Sequence, residues 1–185
     1  MKTNPNSDHL EVEALELNSV PNTMTCDFIQ TLVNNYRNNH LAFVKDRLGI
    51  DDAHSIHFDL ATLKKFISDI ENETQKTNPN VTDQDLGIRF YYAAYPKEDN
   101  WDIMNDTPIG KEYAERHTLV LVPTMKEQDE NGEMLSYDFN PMSSTSNNGE
   151  ILAMASARNG GLQGDVICQN HGNLIPPDSP KTESF

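Results

Sequence analysis

Two stretches of the chain carry the densest pattern of strand-type residues: Leu86 to Pro96, LGIRFYYAAYP, and His117 to Thr124, HTLVLVPT. Successive side chains of a strand point to opposite faces. Ile88, Phe90, Tyr92 and Ala94 therefore share one face, and Arg89, Tyr91, Ala93 and Tyr95 share the other. In the second stretch Leu119 and Leu121 oppose Val120 and Val122. Aromatic and β-branched residues between Gly87 and Pro96 are what a strand prefers. Apolar residues on both faces predict two central strands of one sheet, covered on both sides.

The helical pattern lies upstream. Ile29, Leu32, Val33, Tyr36, His40, Phe43, Val44 and Arg47 recur at steps of three and four, which predicts a helix from Cys26 to about Leu48. Thr25 is placed to cap its start and Gly49 to end it. Asn34, Asn35, Asn38 and Asn39 are weak helix formers, so packing is expected to hold it, with His40 a packed or hydrogen-bonded member of the stripe. Asp59 caps a second helix, Leu60 to about Glu73, whose inner face would be Leu60, Leu63, Phe66, Ile67 and Ile70.

Shorter elements fill the rest. Leu10 to Leu17 reads as a short helix, Ser55 to Phe58 as a short strand, and Val166 to Cys168 as a last one. The 96–116 connection is long enough to carry a helix of its own, at Lys111 to Arg116. Asn131-Gly132 is the dipeptide of a type I′ hairpin, with Leu135 and Tyr137 on the returning strand. Ile151 to Ala157 fits a strand or a short helix, and Asn170 to Pro177, NHGNLIPP, reads as irregular. The fold expected is α+β: a mainly antiparallel sheet of four to six strands with the N-terminal helices packed on one face, in a single domain over 10–177 between tails at 1–9 and 178–185.

Charge narrows the partners. The 185 residues hold 29 acidic against 14 basic side chains, a formal net charge of −15. A nucleic-acid binder needs a basic patch to displace counterions, and none is built here, so nucleic acid and an anionic membrane surface are excluded as expected partners. No apolar run approaches the length of a membrane helix and no signal peptide opens the chain, which points to the cytoplasm. Cys26 and Cys168, the two cysteines, do not make a disulfide framework.

Candidate chemistry is sparse. Arg89 among Tyr91 and Tyr95 could hold an anion or carbonyl while the rings supply apolar contact; the alternative is a guanidinium paired with an acidic neighbour. Trp101, in the middle of the long connection, either pins that loop or meets a ligand. Together Arg89, Tyr91, Tyr95 and Trp101 are the ligand-binding candidates. His54 and His57, near Asp59, are weak metal candidates, and Cys168-x-x-His171 has half of a metal spacing. His171 is the weak catalytic candidate: Gly172 and the double proline would present its imidazole at a fixed angle, with Asp165 near in sequence to orient it. Ser143, Ser144 and Ser146 lack a nucleophile-elbow motif. The glycines of NGGLQGD match neither a phosphate loop nor a dinucleotide fingerprint, and no cofactor is assigned.

The run DLATLKKFISDIE, then LGIRFYYAAYP, then TLVLVPT, then NHGNLIPP, resembles a group of small uncharacterised bacterial proteins of Bacteroidetes type, over most of residues 55–177. The resemblance implies that this order of elements is a fold and carries no catalytic residue across. The expectation is a non-catalytic module that binds a small ligand or a protein, with a homo-oligomer as one form of it. The rival is a hydrolase-like enzyme using His171, with or without a metal.

Overall fold

The computed structural model describes residues 22–142, 150–151 and 166–178. The readings made for residues 1–9, for Leu10 to Leu17, for Ser143 to Ser146, for 152–157 of the stretch Ile151 to Ala157, for the NGGLQGD glycines and Asp165, and for 179–185 of the C-terminal tail lie outside the described residues.

The two strand-type stretches do pair. Strand β2 (Leu86–Ala94) runs antiparallel to β3 (His117–Gln128), in a register that sets Leu86 opposite Met125 and Ala94 opposite His117. The order of the four-stranded sheet is β2-β3-β4-β5, with β4 at Met134–Asn140 and β5 at Glu150–Ile151. Among the described residues β3 is the one neighbour of β2, so β2 stands at an edge and not as the covered central strand expected, and Phe90, Tyr91 and Tyr92 are all exposed. Aromatic residues on both faces fit an edge as well as an interior, since a ring on an open face still covers the strand beside it.

A second sheet has two strands, β1 (Ser55–His57) and β6 (Asn173–Ile175), paired antiparallel with Ile56 opposite Leu174. Its second strand lies inside NHGNLIPP, which the glycine and prolines had marked as irregular. Leu174 is fully buried there and Gly172 makes the close approach possible: a Cβ on it would lie 2.8 Å from the Phe58 ring. The expected strand at Val166 to Cys168 is absent; Gln169 makes an isolated bridge with Leu121 instead.

The first helix, α1, is continuous over 26–48 and has three parts: Cys26–Asn35, a π-helical stretch Tyr36–Leu41, and Ala42–Leu48. Thr25 Oγ1 accepts the Phe28 N–H at 3.3 Å, and Gly49 ends the helix at φ 70°. Helix α2 (Leu60–Thr77) runs a turn longer than the pattern suggested. Its buried face is Phe66, Ile70 and Thr74, while Leu60 and Ile67 are exposed. Asp59 occupies the cap position without a side-chain hydrogen bond. The β3–β4 hairpin also differs from the two-residue turn expected. Its loop is organised by Asp129, whose Oδ1 accepts the Asn131 and Glu133 N–H groups at 2.9 and 2.8 Å, and Gly132 alone takes the positive φ.

Two apolar clusters result. Helix α2 lays Phe66 and Ile70 on the sheet against Leu121, Met125 and Phe139. The 96–116 connection, which forms short 3₁₀ turns at Glu98–Met104 and Lys111–Tyr113, supplies Trp101 and Tyr113 to a second cluster with Ala53, Tyr95 and Leu174. Among the described residues no helix is long and apolar enough to cross a membrane.

Thr74 is buried, and its Oγ1 has no hydrogen-bond partner among the described residues. A buried hydroxyl without a partner costs free energy that a methyl group does not. Thr74→Val is expected to raise stability by about 1 kcal/mol in chemical denaturation.

The second cluster carries a pH dependence. Burial first, then the 2.6 Å hydrogen bond that Tyr113 donates to Asp178, push the Tyr113 phenol up from 10.0 to about 12. The unfolded chain therefore loses this proton before the folded one. The contribution is complete below pH 10 and is lost as pH rises to about 12. Its full size is on the order of 2 kcal/mol. Denaturation midpoints of wild type and Tyr113→Phe should converge across that window, because the variant has no such proton to lose.

Candidate functional site

The four ligand-binding candidates separate into two pairs. Arg89 Nη1 contacts Asp138 Oδ1 at 2.5 Å and Nη2 donates to the Ser136 carbonyl at 2.8 Å, while Tyr91 donates its hydroxyl to Asp138 Oδ2. Both side chains thus converge on one carboxylate from the neighbouring part of the sheet. Tyr95 and Trp101 meet in the second cluster, ring centroids 6.4 Å apart, and Tyr95 donates to Asn170 Oδ1 at 2.7 Å. Trp101 is 6% exposed and pins the long connection. Among the described residues no hydrogen bond or ring contact joins the two pairs.

The histidine candidates stand apart as well. His171 is exposed, and its side chain makes no hydrogen bond to a described residue. Cys168 is exposed and its thiol is raised by desolvation, away from the thiolate a nucleophile needs. His57 is exposed. His54 is half-buried, with Nδ1 3.3 Å from Arg37 Nη2. A guanidinium only donates, so His54 Nδ1 is the acceptor. Desolvation first and then Arg37 lower the His54 pKa. Among the described residues, no three His, Cys, Asp or Glu side chains gather as a metal site.

A wide groove lies on the other face of β2. Tyr92 and Leu119 are paired across β2 and β3, and both line a groove of about 990 Å³ between the sheet and α1. Strand alternation puts Tyr92 on the face away from Arg89 and Tyr91. Helix α2 covers one end of this face through Leu121, Met125 and Phe139, and α1 stands over the other end. The helix side of the groove is Tyr36, Asn39, His40, Phe43 and Val44. The floor includes Ala53, Ser55, Ile56 and Thr118.

Helix α1 is unusual on that side. It buries none of its residues, and Phe43 is 61% exposed, although the stripe has the spacing of a packed helix. Tyr36, Asn39 and His40 all belong to the π-helical stretch. Asn39 Nδ2 donates to the Asn35 carbonyl at 2.8 Å and so competes with the α-helical N–H for that acceptor. Such widened turns re-aim side chains and are frequent at functional sites. Tyr36 stacks on His40 at 5.9 Å, and burial together with the nearby Tyr92 phenol raises the Tyr36 pKa.

A contact between Asp52 and His117 closes one end. The Asp52 side chain is fully buried, and its Oδ1 accepts N–H bonds from Ala53 and His117, both at 2.7 Å. Its Oδ2 contacts His117 Nδ1. His117 is half-exposed and lines the groove. Its Nε2 has no partner among the described residues. Neither Ser55 nor Thr118 is hydrogen-bonded to it: Ser55 Oγ is buried without a partner among the described residues, and Thr118 Oγ1 donates to Asn170 Oδ1 at 3.3 Å.

A smaller hollow of about 660 Å³ lies on the far side of His54, lined by Arg37, Lys45, Asp51, Pro176 and Pro177. It lacks the aromatic walls of the larger groove. Sequence reasoning missed Asp52 and His117, which lie far apart in the chain and in no motif. It did have the signal for the walls, since Tyr92 and the Tyr36–Phe43 stripe were both visible, but it assigned them to a core.

The fold and groove define a small α+β protein with an apolar, histidine-flanked site. Comparison with protein-family models, curated proteins and solved structures found no match to the chain.

Proposed function

We propose that the protein is a binding module for a small, largely apolar molecule, held in the groove between α1 and the sheet. The observation that carries this reading is the groove itself: about 990 Å³, with aromatic and aliphatic walls and a few polar groups, His40, His54 and His117. Those are the dimensions and chemistry of a small-molecule site. Binding is favoured over turnover because no hydroxyl lining the groove is hydrogen-bonded to His117 among the described residues, so no nucleophile and base are paired there. An enzyme built on His171 has less support, since that imidazole is exposed and without a described partner.

The test uses 2-methoxynaphthalene as a neutral apolar probe, followed by ligand-observed NMR. Phe43 and Tyr92 are exposed, 61% and 92%, so Phe43→Ser and Tyr92→Ser should leave the fold intact. Saturable uptake is expected, weakened about tenfold in each variant by the lost apolar contact. Uptake indifferent to both substitutions overturns the site. Native mass spectrometry of the protein as purified adds subunit number and any retained molecule; a dimer that takes up no probe would mean that a second copy fills the groove, and would overturn the reading.

A further inference from the structure

We infer that His117 is the specificity-determining residue of this groove, and that the ligand class it selects is an apolar, ring-sized molecule carrying a hydroxyl. The inference rests on the groove being the binding site.

The reasoning starts at Asp52. An ionised carboxylate only accepts hydrogen bonds. Two of its bonds come from backbone N–H groups, of Ala53 and His117, and the remaining oxygen meets His117 Nδ1. Nδ1 must then carry a proton to face that oxygen. In a neutral imidazole with the proton on Nδ1, Nε2 is an acceptor. Nε2 is also the ring nitrogen left without a partner among the described residues, on a side chain that lines the groove. The Asp52 carboxylate is therefore a positioning group. It fixes the tautomer and holds the ring, as an outer carboxylate does for a metal-bound histidine.

The surroundings make that acceptor matter. Leu119, Ile56, Val44 and the Tyr92 ring line the same groove. A ligand that fills it excludes water from Nε2, and an acceptor deprived of water without a replacement donor costs affinity. A ligand hydroxyl supplies the donor. A methyl ether of the same shape does not. Sites built to hydrogen-bond a hydroxyl reject the analogue that lacks it for this reason.

The matched probes are 2-naphthol and 2-methoxynaphthalene, compared at about pH 8, above the ordinary imidazole range. Wild-type protein is expected to bind 2-naphthol about three- to tenfold more tightly. In His117→Phe the preference for 2-naphthol over the ether should vanish. A preference that survives in His117→Phe overturns the assignment. Equal binding of both probes to the wild type also overturns it and leaves the groove reading standing, whereas failure of both probes to bind removes the groove reading too. His117→Phe leaves the Asp52 carboxylate without its side-chain partner and could unfold the chain, so a measurement on the wild type accompanies it. The ¹⁵N spectrum of the imidazoles should show one ring with its proton on Nδ1, whose Nε2 resonance moves with 2-naphthol and not with the ether. Proton occupancy at Nε2 in the free protein, or no response to 2-naphthol, overturns the inference.

Discussion

Replacing Phe139 with Ala is expected to cost about 3–5 kcal/mol of stability, enough to leave a domain of ordinary stability largely unfolded. Phe139 is 1% exposed and sits at the end of β4, where Phe66 and Ile70 of α2 meet Leu121 and Met125 of β3. Truncation removes a whole ring from the cluster that ties α2 to the larger sheet. The walls are held by strand pairing on one side and by an eighteen-residue helix on the other, so they have little freedom to close on the space left behind. Urea denaturation followed by far-ultraviolet circular dichroism measures the loss. A cost below about 1 kcal/mol would mean that the space collapses, and that α2 is not anchored through this ring. Phe139→Leu, which keeps an apolar side chain at the position, should recover more than half of the loss.

That cluster was partly legible before the structure. Phe66 and Ile70 recur at helical spacing, and Leu119 and Leu121 alternate as strand residues should, so each inner face was visible and a helix packed on the sheet was expected, though not which strand it would meet. The pairing of β2 with β3 was equally visible, because both stretches have strong strand character. Their order in the sheet was not. An aromatic strand with both faces apolar fits an interior and an edge alike, and among the described residues β2 stands at an edge with Phe90 and Tyr92 exposed. The β1–β6 pair was hidden for a different reason: three residues on each side carry too little pattern to stand out beside Gly172, Pro176 and Pro177. At the site, Arg89 drew attention as a cation among phenols, yet its donors go to Asp138 and Ser136. The stripe Tyr36, His40, Phe43 and Val44 was read from spacing as a packed face, and spacing cannot tell a face against a core from one across an open groove.

Asp52, which stands in no motif, was the least legible of all, and Asp52→Ala is expected to be as damaging as the loss of Phe139. Its carboxylate is fully buried, and three donors depend on it: the Ala53 N–H, the His117 N–H and His117 Nδ1. Alanine leaves all three facing a small empty space. Each buried donor left without its acceptor costs about 1–3 kcal/mol, and here three are stranded at once. The location adds to the effect, since Asp52 joins the turn before β1 to the first residue of β3 and so links the two sheets where no strand does. Asp52→Asn separates charge from shape. The amide can still accept from the two backbone N–H groups through its oxygen, but its NH₂ then faces His117 Nδ1, which must become an acceptor and move its proton to Nε2. The expected outcome is a folded protein, destabilised by about 1–3 kcal/mol, in which the groove meets its ligand with a donor instead of an acceptor. Thermal denaturation of the two variants, read beside the imidazole ¹⁵N spectrum of Asp52→Asn, checks both halves. Full stability in Asp52→Ala would show that the carboxylate is not what holds β1 to β3.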